Sequence, residues 1–218
     1  MRLIWALLLA TLLASAAFAA FPALDLATAR LFNDGSSFPI AANRPVEALR
    51  MTLYAAEDAG FLLTLILILR RRPFLNLQPR QWLGQMLLFL LGPGLIVNGI
   101  LKPFWGRARP FQITEFGGPA AFSRAWQVSD QCCGYKSFAS GEMAGATALA
   151  ICLTIILRAN RLALGRNLYW MGLGIAALLP LVTAWQRMAA GRHFLSDIVI
   201  SALLVSLLAA LLHRVLRR

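Results

Sequence analysis

The sequence predicts an all-α integral membrane protein, a bundle of six transmembrane helices forming a single domain over its 218 residues. Three observations carry this. Hydrophobic residues make up 59% of the chain and charged ones only 14%, against roughly 45–50% and 25% in soluble domains. The mean hydropathy is positive, at +0.68. Six apolar runs, at about 3–21, 46–69, 82–101, 141–157, 168–185 and 194–212, reach or approach the roughly 20 residues that cross a bilayer as a helix.

The first run follows Arg2 and stops at Pro22. Ala17-Phe18-Ala19 also reads as a peptidase site, but the run is longer than a signal core, so a retained helix is expected. Residues 21–45 form an extramembrane connection with turn chemistry at Asn33-Asp34-Gly35 and Asn43-Arg44-Pro45. The second run carries Glu57 and Asp58, and intramembrane carboxylates need a polar cavity or a partner. They either neutralise arginines of a site or pair with Arg50. A basic loop, Arg70-Arg71-Arg72 to Arg80, leads to the third run, where Gly92-Pro93-Gly94 predicts a kink or a loosened turn. Residues 102–140 are the longest polar stretch. The fourth run is followed by Arg158, Arg161 and Arg166, the fifth carries Pro180 near its end, and the sixth finishes in a basic tail from His213 to Arg218.

A net charge of +12 raises the question of nucleic acid, but a nucleic-acid binder clusters its cations on a soluble face. Here they fall in short runs between apolar segments, and Arg2, the Arg70 to Arg80 loop, Arg158, Arg161, Arg166 and the tail arginines share one side with no acid among them. The positive-inside rule makes that side cytoplasmic. The acids lie on or toward the other side, and with them the 102–140 stretch and the segment around His193. Cys132, Cys133 and Cys152 match neither a disulfide framework nor a metal-ligand spacing, although the adjacent pair would be oxidisable in an outward loop.

Chemistry concentrates in three pieces on that outer side. The first, Lys102-Pro-Phe-Trp-Gly-Arg-Ala-Arg109-Pro110, sets two cations seven residues apart. They suit either a phosphoryl group or a basic interfacial collar. The second, Ser137-Phe-Ala-Ser140-Gly141-Glu142, opens the fourth run. Ser140 can cap the helix and Gly141 bares its first amides to an anion, while Gly141 and Gly145 also make a small-residue packing face. The third, Arg187 to Asp197, places His193 four residues before Asp197. On one helix the carboxylate would hold one ring nitrogen and leave the other free to attack, with Arg187 and Arg192 as a positive wall. A His and an Asp anchoring a helix end at the interface is the plainer alternative.

Lys-x6-Arg-Pro, then Ser-Phe-x-Ser-Gly, then Arg-x5-His-x3-Asp together resemble the three-part signature of the type 2 phosphatidic-acid phosphatases. These are six-helix membrane phosphatases of lipid phosphates, distantly related to vanadium haloperoxidases. Each piece is weak, but three in order on one face are specific. The resemblance implies that Lys102, Arg109 and Arg187 bind phosphate oxygens with help from Ser140 and the Gly141 amide. It also implies that His193 forms a phosphohistidine, oriented by Asp197, which water then hydrolyses. No metal or other cofactor is needed on this scheme.

Three positions depart from the pattern. Ala139 stands where the family usually has Pro, and Gln186 where it usually has Ser. Glu142 stands where the second His, the leaving-group acid, is expected. Glu142 is therefore a tuned general acid, a weaker acid for an easier substrate, or the mark of lost activity. His213, in the tail, is on the wrong side to replace it. The form Cys133-x-x-Lys136-Ser-Phe-x-Ser-Gly-Glu142 is similar to a branch that includes bacterial lipid A phosphatases. Phe104, Trp105, Phe111 and Tyr135 around an outer-face site suit a phosphate whose tail stays in the bilayer. The candidates are lipid A, undecaprenyl diphosphate, phosphatidylglycerol phosphate and phosphatidic acid. The expected location is the cell inner membrane, with the site on the periplasmic or extracellular side. A lipid-phosphate binder or transporter without turnover is the alternative that Glu142 favours.

Overall fold

The computed structural model describes residues 1–131 and 134–216. Cys132 and Cys133, with the expectation about their oxidation, lie outside the described residues, as do Arg217 and Arg218. Six helices are long and apolar enough to cross a membrane, and no named strand occurs among the described residues. The helices are α1 (Arg2–Ala20), α2 (Ala23–Arg30), α3 (Arg44–Leu69), α4 (Pro79–Phe89), α5 (Lys102–Trp105), α6 (Gly141–Ala159), α7 (Arg161–Ala189) and α8 (Leu195–Leu216).

Local chemistry accounts for where these helices start. The Asn43 side chain accepts from the Val46 N–H at 3.1 Å and caps α3, with Pro45 in the first turn, where its missing N–H costs nothing. Ser140 caps α6 through Met143 N–H at 3.3 Å. The turn at Asn33-Asp34-Gly35 closes on its own side chains, and the Ser36 and Ser37 amides hold the Asp34 carboxyl down to about 2. Between α4 and α5 the chain stays helical but winds as a π-helix over Leu90–Leu101. Pro93 supplies no N–H, and the wider turn re-satisfies the carbonyls around it, so the expected loosening is spread over three turns.

The core is built mainly on α6 and α8. Ala144, Ala148, Leu149 and Cys152 of α6 pack with Ile200 and Val205 of α8 and with Phe89 and Val97 of the third span. Phe18 joins this core from α1. One end of the bundle gathers the basic connections. Asn76 Nδ2 donates to Asn160 Oδ1 at 3.1 Å, Gly84 faces Leu216, and Arg214 reaches Met1. The three chemical pieces meet at the other end.

Candidate active site

Three backbone hydrogen bonds stitch the pieces together. Ser137 N–H donates to the Arg107 carbonyl at 2.9 Å, Ser140 N–H to the Asp197 carbonyl at 3.3 Å, and Phe111 N–H to the Gly191 carbonyl at 3.1 Å. Two of these also pair otherwise unsatisfied groups at helix ends. At Gly191 the backbone takes φ +63°, where a side chain would be strained, and a Cβ would stand 2.5 Å from the Phe38 ring. The turn made there carries the chain from the end of α7 back into the site.

His193 sits in that turn, two residues before α8 begins, and is buried. The expected shared helix face is therefore corrected. Asp197 is in the first turn of α8, and its Oδ2 accepts from Phe194 N–H at 2.9 Å in the manner of a helix cap. The same Oδ2 accepts from Ser137 Oγ at 2.6 Å. It lies 3.5 Å from His193 Nδ1, a close approach in which Nδ1 makes no formed hydrogen bond. Catalytic contacts of this kind are often long before substrate arrives. Burial pushes the His193 pKa below its ordinary value. The Asp197 carboxylate opposes this, and the cations Lys102 and Arg109 add to it.

Behind Asp197 stands a residue that the sequence reading passed over. Arg107 is fully buried. It donates to Asp197 Oδ1 at 2.6 Å, to Asp25 Oδ2 at 2.8 Å, to Ser196 Oγ at 2.8 Å and to the Ser123 carbonyl at 3.0 Å. Its guanidinium lies 4.4 Å from the centre of the Phe194 ring. Arg107 reads in the sequence as one more cation of the collar. Its partners stand 82 and 90 residues away, and no local pattern announces them.

Glu142 and Arg187 face one another at 2.7 Å, and the other oxygen of Glu142 accepts from Arg50 Nε at 2.9 Å. Arg187 Nε donates to Gln186 Oε1, so Gln186 serves as an acceptor here. Arg50 also binds Glu47 at 2.6 Å. The pairing of Arg50 with Glu57 or Asp58 is thereby corrected: among the described residues neither acid forms an ion pair. Glu57 is buried against Gly145, in a small cavity shared with Arg50, Leu53, Tyr54, Glu142, Thr183 and Gln186.

Lys102 and Arg109 lie within electrostatic reach of Glu142 and Asp197, and neither is engaged in a salt bridge among the described residues. A Cβ at Gly141 would stand 2.6 Å from Asn98 Oδ1 and 2.8 Å from Lys102 Nζ. Glycine at that position lets the ammonium come down onto the first turn of α6, where the helix amides also point. Every residue nominated from the sequence, Lys102, Arg109, Ser140, Gly141, Glu142, Arg187, His193 and Asp197, is thus found at one end of the bundle. Sequence reasoning missed Arg107, Asp25, Ser196 and Asn98, and paired Arg50 with the wrong carboxylates. Phe104 and Phe111 are exposed at the rim, and Arg192 covers the Phe111 ring at 4.7 Å. Trp105 instead packs against Trp126 and Phe138, and Tyr135 packs against the small apolar cluster that includes Phe38 and Phe194. A larger apolar cavity, about 610 Å³, occupies the other half of the bundle between α1, α4, α6, α7 and α8. His213 and Arg158 line it, so His213 is remote from His193.

A buried imidazole with a carboxylate on one nitrogen, ringed by Lys and Arg side chains and a helix N-terminus, can attack an anionic phosphorus centre and stabilise the charge that develops. Comparison with known proteins gives a consistent picture. The family model described as PAP2 superfamily matches residues 82–218. A lipid A 4'-phosphatase of Rhizobium leguminosarum is 37% identical over 111 residues, which cover 51% of this chain and 44% of that protein. A protein of the same name from Francisella tularensis subsp. novicida is 31% identical over 116 residues, covering 53% and 49%. The matched part thus spans under half the length of these curated relatives. The fold resembles the crystal structure of a transmembrane PAP2 type phosphatidylglycerolphosphate phosphatase from Bacillus subtilis. The TM-score is 0.60 at 21% identity, over 99% of this chain and 96% of that one. At that identity the likeness is one of fold.

Proposed function

Because the chain belongs to the PAP2 superfamily, we propose that it is a phosphatase of membrane lipid phosphates, working at the outer face of the membrane through a phosphohistidine. The observation that carries this is the convergence of His193, Asp197 and the cations Lys102, Arg109 and Arg187 from three separate segments around one buried ring. The tail of the substrate stays among the lipids beside Phe104 and Phe111, both exposed at the rim. The name shared by the relatives favours lipid A as substrate. Phosphatidylglycerol phosphate also carries a phosphomonoester, and undecaprenyl diphosphate a terminal phosphoryl group on an anhydride oxygen.

In this reading the phosphate of the substrate settles between Lys102, Arg109 and the first turn of α6, and competes with Glu142 for Arg187. His193 Nε2 attacks phosphorus while Nδ1 faces Asp197, and the lipid oxygen leaves. Drawing Arg187 onto the phosphate frees a carboxyl oxygen of Glu142, which takes up a proton from water and passes it to that leaving oxygen. Water then cleaves the phosphorus–nitrogen bond and releases inorganic phosphate. Protein purified in detergent should release phosphate from one or more of lipid A, phosphatidic acid and phosphatidylglycerol phosphate. His193→Ala should lower that rate by about 10⁴-fold or more while the protein stays folded. Turnover equal to the parent would remove His193 from the chemistry.

A further inference from the structure

The buried cluster behind His193 extends to a residue outside all three motifs and outside the region that the family model matches. Asp25, in α2 just after the first span, is fully buried. Its Oδ1 accepts from Ser196 N–H at 2.8 Å, and its Oδ2 accepts from Ser196 Oγ at 2.6 Å and from Arg107 at 2.8 Å. Asp25 therefore grips the first turn of α8 and one edge of the guanidinium whose other edge holds Asp197. Four of the five N–H groups of Arg107 are committed to these partners, and the side chain is fully buried.

The charge balance gives Asp25 a chemical consequence. Were Asp197 alone with Arg107, the pair would be neutral and would offer little to an imidazole that becomes positive as it attacks. With Asp25 on the far edge, two carboxylates share one guanidinium, and one negative charge is left over beside the ring. In a buried setting such a charge acts strongly. We propose that Asp25 is a positioning residue for the reaction, acting through Arg107 to leave Asp197 the charge with which it steadies the His193 cation. The inference rests on His193 being the nucleophile. As the Nε2–phosphorus bond forms and the phosphorus–oxygen bond to the lipid breaks, positive charge appears on the ring, and no proton passes to Asp25 or Arg107. The other groups facing His193 are Asp197 from α8, Lys102 and Arg109 from the third span, and Glu142 from α6.

The test is phosphate release from phosphatidic acid by the full chain in mixed micelles, measured across pH. Asp25→Asn keeps the shape of the side chain and an oxygen for Ser196 but removes the charge. It should lower kcat by roughly 10- to 100-fold, leave KM within about twofold of the parent, and move the acid limb of kcat/KM to lower pH. Asp25→Glu should recover part of the rate. Adding Asp25→Asn to Asp197→Asn should cost little more, because the two act as a unit. A merely structural residue would reduce the amount of folded enzyme and leave the limb in place. That result, or a parental kcat, overturns the proposal. If Asp25→Asn does not fold, Ser196→Ala, which keeps every charge but loosens Asp25, should shift the limb the same way by less. An unmoved limb overturns it equally. A parent enzyme that releases no phosphate from any lipid phosphate sinks the functional reading itself, a result distinct from parental behaviour of the Asp25 variants.

Discussion

His193 acts from a place that disfavours its cation, and this fixes one end of the pH profile. Burial lowers its pKa first, and Lys102 and Arg109 lower it further against the pull of Asp197. Attack needs the neutral ring, and the protonated fraction grows as pH falls through the pKa. A lowered pKa therefore carries activity to lower pH. The acid limb of kcat/KM should fall below the ordinary histidine value of about 6.5, and a limb at or above that value contradicts the assignment. Glu142 is held by Arg187 and Arg50 before substrate arrives, so its part is read in kcat and not in a second limb. Glu142→Gln should lower kcat by about 10²-fold, and Glu142→His should restore it. A raised KM with kcat unchanged would instead make Glu142 only the holder of Arg187. At this scale most residues of the candidate site were readable in the sequence, because Lys102, Arg109, Arg187, His193 and Asp197 are polar groups at the mouths of apolar runs. Arg107 and Asp25 were not. A buried ion pair is made by the fold, and its partners carry no spacing that a single sequence displays.

The ends of helices, more than their bodies, carry the chemistry. The start of α6 receives Lys102 only because position 141 has no side chain. Gly141→Ala should push the Lys102 ammonium off the first turn, since the long Lys side chain yields more readily than the helix. The expected result is a roughly 10- to 100-fold loss in kcat/KM, with thermal stability changed little, as measured by phosphate release and by unfolding in detergent. Unaltered kcat/KM would mean that Lys102 binds phosphate from elsewhere. Hydropathy located all six spans, and the Gly92-Pro93-Gly94 signal located the weak point of the third. It did not reveal that the whole of Leu90–Leu101 would rewind as a π-helix. A proline shows where the hydrogen-bond ladder breaks, and packing against α6 and α8 decides how far the repair runs. The shared helix face of His193 and Asp197 failed for a related reason. The four-residue spacing of His193 and Asp197 fits a helix, but the Asp197 side chain binding Phe194 N–H starts the helix after the histidine.

At the scale of the whole chain, the placement of the acid-free basic connections supports the proposed outward-facing site. Arg70, Arg71, Arg72, Arg158, Arg161 and Arg214 belong to connections that the fold brings to one end, where Asn76 meets Asn160 and Arg214 meets Met1. Asp25, Glu47, Glu142 and Asp197 belong to the other, with His193. Cations are retained in the cytoplasm during insertion because moving them outward is unfavourable, whereas acids exert little pull. On this rule the proposed site faces outward, and three distant segments converge at the acid-bearing end. Alkaline phosphatase inserted at Gly117 or Gly35, which is active only outside the cytoplasm, should be active, and inserted at Arg72 or Asn160 it should be silent. The opposite pattern would turn the site to the cytoplasm and remove outer-leaflet lipids as substrates. Activity at Gly35 with silence at Gly117 would be graver still. It would place Asp25 and Arg107 on opposite faces of the membrane, and the buried cluster that supports His193 could not form.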